Sequence, residues 1–281
     1  MFSDKNESSS RLDNTFARLK ADRRTGLVTY TTAGDPNLAR SGDVLLALDG
    51  AGADVLEVGV PFSDPLADGP VIQRATERAL AGGATLGGTL DLVGRLRPRL
   101  RAPVVLFSYA NPMFRMGVPS FARRAAEAGV DGVLALDLPI EEAAEFQGTL
   151  LDVGVVTIFL LSPTTTQERI RKAAALGRGF LYGISRLGVT GAREAIASGA
   201  REMVERIRRE TTLPVALGFG ISRPEHVREV GQWADAAVVG SGLVKVIGEA
   251  GDAADLPDRV ANYVRWLKGE ALKPESFVSV S

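Results

Sequence analysis

Cysteine is absent from this chain of 281 residues, and histidine occurs once, as His226. The first absence removes disulfides, thiol nucleophiles and cysteine-zinc sites. The second rules out a multi-histidine metal centre and obliges any Ser-His-Asp triad to use His226. No metal site is expected. Neither sign of charge is in excess: 33 Lys and Arg against 34 Asp and Glu give a formal net charge of -1. That balance offers no basic footprint for nucleic acid, although it permits a local phosphate site. No apolar run is long enough to span a bilayer. The first ten residues, MFSDKNESSS, lack the apolar stretch of a secretion signal. A cytoplasmic location is the default expectation.

What the chain does contain is an ordinary globular composition, 45% apolar and 24% charged. Short apolar runs rich in β-formers recur at Leu27–Thr32, Val55–Val60, Val104–Ser108, Gly132–Leu136, Val155–Leu160, Gly179–Ile184, Val215–Gly218 and Ala236–Val239. The spacers read mostly as helices. "ARSGDVLLALDGAGA", "VIQRATERALAGG" and "VPSFARRAAEAGV" carry apolar positions three and four apart and stop at glycine. Eight β-then-α units in one domain of this length predict an α/β fold, a (β/α)8 TIM barrel, with an open doubly wound sheet as the alternative. An extra N-terminal helix, "LDNTFARLKADRR", precedes the first strand, and its Phe16 and Leu19 are placed to cover the barrel floor. The expected organisation is a polar tail over 1–10, one barrel domain over 11–270 and a tail over 271–281.

In such a barrel, function collects where the strands end. The predicted strand ends read "TTAGDP", "VGVPFSDPLADGP", "SYANP", "LDLP", "SPTTT", "GISRLGVTGAR", "LGFGIS" and "VVGSGLV"; opposite loops such as "EAGVD" and "GQWAD" are plainer. Strand alternation puts Val55, Glu57 and Gly59 on one face and Leu56, Val58 and Val60 on the other. The aliphatic face suits helices, so Glu57 points into the barrel near its upper end. A carboxyl buried there suits proton transfer near neutral pH; a core Glu paired with Arg or Lys is the plainer reading. Asp64 and Asp68 follow in the loop. Asp64 reads chiefly as a turn residue, and Asp68 reads equally as turn or site residue. Thr190-Gly191, Gly218-Phe219-Gly220 and Gly240-Ser241-Gly242 follow the sixth, seventh and eighth predicted strands. The last opens a short helix, the usual barrel phosphate site. Tyr182 and Tyr109 are read either as core tyrosines or as site residues. Lys245 lies beyond its strand, which sets imine chemistry aside, and His226 reads as a helical surface histidine.

The stretch "LEVGVPFSDPLADGPVIQRA" resembles the signature of the tryptophan synthase α subunit. The resemblance runs from about Phe16 to about Lys268 through "TTAGDP", "SYANP", "GVDGVLALDLP", "GRGFLYGISRLGVTGAR", "GFGIS" and "VVGSGLVK", in the family's order. It implies a lyase of tryptophan biosynthesis that cleaves indole-3-glycerol phosphate to indole and glyceraldehyde 3-phosphate. It implies Glu57 as acid/base, Asp68 as second catalytic carboxylate and Tyr182 beside the substrate. The phosphate would lie on Thr190, Gly191, Gly220, Gly240 and Ser241; Tyr30, Phe107 and Leu134 are candidates by position for the indole pocket. A loop around Leu187 to Arg193 would close over the site, with Thr190 against the Asp68 loop. The family works as an αββα complex whose β subunit carries pyridoxal phosphate, so no cofactor is implied for this chain. Pro61, Asp64 and "ANPMFRMG" resemble the partner-facing surface. The alternatives are a stand-alone indole-glycerol-phosphate lyase and, more remotely, a non-catalytic phosphate-binding barrel.

Overall fold

The computed structural model of the protein describes residues 10–184, 193–218 and 220–273. Its strands are β1 (Gly26–Thr32), β2 (Val55–Gly59), β3 (Val104–Ser108), β4 (Gly132–Ala135), β5 (Val156–Thr157), β6 (Leu160–Leu161), β7 (Leu181–Ile184), β8 (Val215–Gly218) and β9 (Ala236–Val239). The helices are α1 (Arg11–Ala21), α2 (Leu38–Gly50), α3 (Pro70–Ala81), α4 (Leu86–Leu96), α5 (Ala110–Met116), α6 (Val118–Glu127), α7 (Ala143–Leu151), α8 (Gln167–Leu176), α9 (Arg193–Arg208), α10 (Pro224–Val230), α11 (Ser241–Ala250) and α12 (Leu256–Leu267).

All strand pairs are parallel, in the order β5-β4-β3-β2-β1-β9-β8-β7-β6. The two ends of that order are neighbours in sequence, separated only by Ile158 and Phe159. The Ile158 N–H donates to Val133 on β4 at 2.9 Å, and the Phe159 carbonyl accepts from Tyr182 on β7 at 3.0 Å. The stretch from Val156 to Leu161 therefore bonds both flanks and closes the sheet into a barrel. The fifth predicted strand exists as two short pieces of one crossing. The "ANPMFRMG" segment, expected as a loop, forms α5.

Two apolar layers sort the side chains. Val28, Val55, Val105, Leu134, Val156, Phe180, Tyr182 and Ala216 form an inner cluster, while Leu56, Val58, Val60 and Leu106 pack outward under the helices. The period-two alternation of a strand thus holds, and it directs Glu57 inward. α1 plugs the floor. Its N-terminus is secured by a capping box in which Asp13 N–H donates to Ser10 Oγ at 3.1 Å and Ser10 N–H donates to Asp13 Oδ2 at 3.2 Å. Leu12, Phe16 and Leu19 all enter the inner cluster, with the Phe16 and Phe180 ring centroids 5.4 Å apart.

The plain loops at the floor hold a repeated device. Asp54, Asp131 and Asp235 each stand one residue before a strand, β2, β4 and β9. Each accepts a backbone N–H from the start of a neighbouring strand: Leu27 at 2.9 Å, Val104 at 2.8 Å and Val215 at 2.8 Å. Each also meets an arginine, Arg24 at 2.6 Å, Arg11 at 2.6 Å and Arg208 at 3.1 Å. These carboxylates pin strand register at the end of the barrel away from the candidate site.

Candidate active site

β2 delivers Glu57 to the inner wall. In register beside it stand Tyr30 on β1 and Val105 on β3; one inward layer higher lie Thr32, Gly59, Phe107 and Leu134. Glu57 is 1% exposed, and among the described residues neither carboxylate oxygen has a hydrogen-bond partner. Among the described residues no Arg or Lys pairs with it, so the paired-core reading is not realised there. A buried polar group left unpaired costs about 1–3 kcal/mol, so it calls for an explanation. Burial alone pushes the Glu57 carboxyl up to about 8, which leaves it protonated at neutral pH.

Asp68 sits in the loop between β2 and α3, in a turn closed by its own N–H on the Pro65 carbonyl at 3.1 Å. Gly69 is the N-cap of α3 and Pro70 its first residue, as the Asp-Gly-Pro sequence predicts. Burial pushes Asp68 up to about 6, against a hydrogen bond donated by the Tyr109 hydroxyl at 3.3 Å that favours the charged form. The same hydroxyl accepts the Ala67 N–H at 3.0 Å, and Gln73 donates to the Asp68 carbonyl at 2.9 Å. Tyr109 thus clamps the loop as well as the carboxylate. Its partner on this loop is not legible from "SYANP" alone, because the contact joins β3 to a segment some forty residues earlier in the chain. Asp64 is an exposed turn residue: it accepts from Ser63 Oγ at 2.6 Å, and its carbonyl accepts the Leu66 N–H at 2.9 Å.

Tyr182 faces inward on β7, and burial pushes its phenol well above the ordinary tyrosine value, with the Glu57 charge adding to the shift. Its ring lies against Gly218: a Cβ there would be 3.0 Å from the Tyr182 hydroxyl. Tyr30 and Phe107 meet edge to face at 5.2 Å, and Leu134, in register with Phe107, is fully buried. The inner apolar wall continues upward through Leu136, Leu160 and Ile184. They border a cavity of about 390 Å3 that also takes in Asp137, Ser162 and Arg169. A cavity of that size suits a small ligand, but its described lining does not include Glu57, Asp68 or Tyr182.

Of the phosphate candidates, Gly240 is the N-cap of α11 and Ser241 its first residue, and among the described residues no side chain caps that terminus. The free N–H groups of a helix start favour an anion. Gly220, at φ +71, adopts a left-handed conformation in the turn after β8. Thr190 and Gly191, with most of the loop from Leu187 to Arg193, lie outside the described residues. His226 is half-buried on α10, where its Nδ1 accepts the Ser222 N–H at 3.3 Å, a local role remote from any triad. Lys245 pairs with Glu249 at 3.6 Å. Among the described residues no cluster of His, Asp or Glu could hold a metal ion.

The site combines one protonated buried carboxyl, one carboxyl that is ionised at neutral pH, an aromatic wall and an open helix N-terminus. Known proteins resemble this chain along most of its length. The family model described as "Tryptophan synthase alpha chain" matches residues 16–270. The tryptophan synthase alpha chain of Geobacter sp. (strain M21) is 49% identical over 264 residues, covering 94% of this chain and 98% of that protein. The crystal structure of tryptophan synthase subunit alpha from Legionella pneumophila superposes with a TM-score of 0.86 at 36% identity, covering 93% of this chain and 98% of that one. A chain of the tryptophan synthase complex from Pyrococcus furiosus superposes with a TM-score of 0.80 at 38% identity, covering 87% and 98%. The chain belongs to the tryptophan synthase alpha chain family, lyases that cleave indole-3-glycerol phosphate.

Proposed function

We propose that Glu57 is the proton carrier of this cleavage and that Asp68 steers the electrons of the indole ring. The substrate carries its glycerol phosphate side chain on C3. Glu57, entering as the neutral acid, delivers a proton to C3 while the Asp68 carboxylate takes up the ring N–H. Glu57, now a carboxylate, removes the proton of the hydroxyl beside C3. The C–C bond breaks, its electron pair returns to the ring, an aldehyde forms, and Asp68 gives the nitrogen its proton back. Both carboxyls end in their starting states, so the cycle needs neither a metal nor a cofactor in this chain. The opposite displacement of the two carboxyls from neutrality supports the division of labour: Glu57 at about 8 is an acid at neutral pH, and Asp68 at about 6 is a base.

The indole is assigned to the wall of Tyr30, Phe107 and Leu134, with Tyr182 beside the reacting carbon. The phosphate is assigned to the α11 N-terminus, with Gly240 and Ser241, and to Gly220, Thr190 and Gly191. Closure of the loop around Leu187 to Arg193 would exclude water. The product indole passes to a β subunit within an αββα assembly, where pyridoxal phosphate belongs to that partner, in the cytoplasm. The exposed apolar side chains Leu66, 92% exposed and two residues after Asp64, and Phe114, 48% exposed and within α5, suit a partner surface. Pro61 is buried, so its part is to shape the loop.

The observation that carries the reading is the unpaired Glu57 carboxyl on the inner wall. Glu57→Gln is expected to lower cleavage by about 10²–10⁴-fold while retaining substrate binding. A variant of normal activity would remove the mechanism. Turnover measured with and without added β subunit tests the assembly; a rate unmoved by the partner would favour a stand-alone lyase.

A further inference from the structure

The register of β1 on β2 shows what keeps Glu57 from water. Tyr30 and Glu57 are in-register partners, and both face the barrel interior. Two residues nearer the mouth, β2 has no side chain on that face because residue 59 is glycine. Tyr30 leans into the gap: a Cβ built on Gly59 would lie 2.2 Å from the Tyr30 hydroxyl oxygen, 2.6 Å from Cζ and 2.8 Å from Cε2. Gly59 is not among the residues with positive φ, so the glycine is required by space and not by torsion. The phenol ring therefore lies along the inner face of β2 on the mouth side of Glu57. Phe107, in register with Gly59 on β3, meets that ring at 76° and holds it from the other flank. The Tyr30 hydroxyl makes a long 3.4 Å contact with Thr32 Oγ1, also in register with Gly59.

We infer that Tyr30, seated in the space left by Gly59, is a positioning residue for Glu57: its ring roofs the carboxyl and shields it from the open mouth of the barrel. This goes beyond Tyr30 as a wall of the indole pocket, and it rests on Glu57 being the proton carrier. The surroundings leave few other controls. Among the described residues, Tyr30 from β1 and Tyr182 from β7 feel the Glu57 charge, Asp68 in the loop above acts on Tyr30, and Tyr109 bonds Asp68. β3 and β4 contribute Val105, Phe107 and Leu134, which are uncharged. Burial displaces Glu57, and the Tyr30 ring supplies the part of that burial on the mouth side.

The test is a carbon-13 NMR titration of the Glu57 side-chain carboxyl in the full chain, assigned by difference from Glu57→Gln. Circular dichroism confirms that each variant is folded. Tyr30→Ala is expected to lower the Glu57 midpoint by at least about one pH unit, roughly a tenfold change in its protonation equilibrium. Tyr30→Phe keeps the ring and is expected to leave the midpoint in place. Gly59→Ala drives the ring out and is expected to act like Tyr30→Ala, while adding little in a Tyr30→Ala background. A folded Tyr30→Ala with an unmoved midpoint overturns the inference, as does a Tyr30→Phe that shifts as far as Tyr30→Ala. If Tyr30→Ala does not fold, Gly59→Ala gives the same decision. The titration needs no turnover, so an active Glu57→Gln would remove the reaction assignment while leaving this result to stand or fall alone.

Discussion

The two ends of the barrel treat their buried and half-buried carboxylates in opposite ways. At the floor, Asp54, Asp131 and Asp235 each accept a backbone N–H and an arginine. At the mouth, Glu57 has no partner among the described residues and Asp68 has a 3.3 Å bond from one tyrosine. The floor uses charge to hold strands, whereas on the proposed mechanism the mouth withholds partners so that protons can move. Removing a carboxylate should therefore damage stability at one end and chemistry at the other.

The largest effect on stability is expected at the floor. Asp131→Ala orphans the Val104 N–H and leaves Arg97, 14% exposed and 3.6 Å from Asp131, without its counter-charge. Breaking a buried pair in this way costs about 3–5 kcal/mol. Denaturant unfolding should show that loss, and activity per folded molecule should stay near wild type. A fall in activity without a fall in stability would break the comparison.

The next effect lies at the mouth and has the opposite sign. In the unfolded chain the Glu57 carboxyl loses its proton near 4.5; in the folded chain it keeps the proton to about 8. Between those values the folded state binds more protons, so stability falls as pH rises through the window and then levels off. Glu57→Gln removes that fall. At pH 9 the variant should be more stable than wild type by a few kcal/mol, since a tenfold difference in proton affinity between folded and unfolded chains corresponds to about 1.4 kcal/mol. Equal pH dependence of unfolding in the two proteins would show that Glu57 titrates normally.

The same pair shapes the pH profile of activity. kcat/KM should fall below about 6 as Asp68 gains a proton and above about 8 as Glu57 loses one. Glu57→Gln should abolish the alkaline limb in whatever activity remains. The smallest effect is expected for Tyr109→Phe, which removes the bond to Asp68 and the acceptor for the Ala67 N–H. A severalfold lower kcat and an acid limb moved upward by a fraction of a pH unit are expected, because the lost bond favoured the charged carboxyl. An acid limb moved downward would contradict the role of that bond.

Much of this contrast was legible in the sequence where it depends on local pattern. Alternation along Val55–Val60 placed Glu57 inward, glycine stops marked α2, α3 and α6, and Phe16 and Leu19 marked the floor plug. Pattern alone could not separate a paired Glu57 from an unpaired one, because the answer lies in which side chains of other strands fail to reach it. The floor aspartates escaped notice in "EAGVD" and "GQWAD" for the same reason: their partners are backbone N–H groups on neighbouring strands. The fit of Tyr30 into Gly59 and the Tyr109 clamp depend on register, which joins residues about 29 and 41 apart in sequence. The "ANPMFRMG" helix was hidden by its proline and by the shortness of its apolar pattern.

The central claim, that Glu57 carries the proton, is tested most directly by a single-turnover measurement of indole release. Glu57→Gln and wild type would be compared with β subunit present and substrate binding measured separately. The account predicts a chemical step slowed at least about a hundredfold with binding preserved. A chemical step within a few fold of wild type would contradict it.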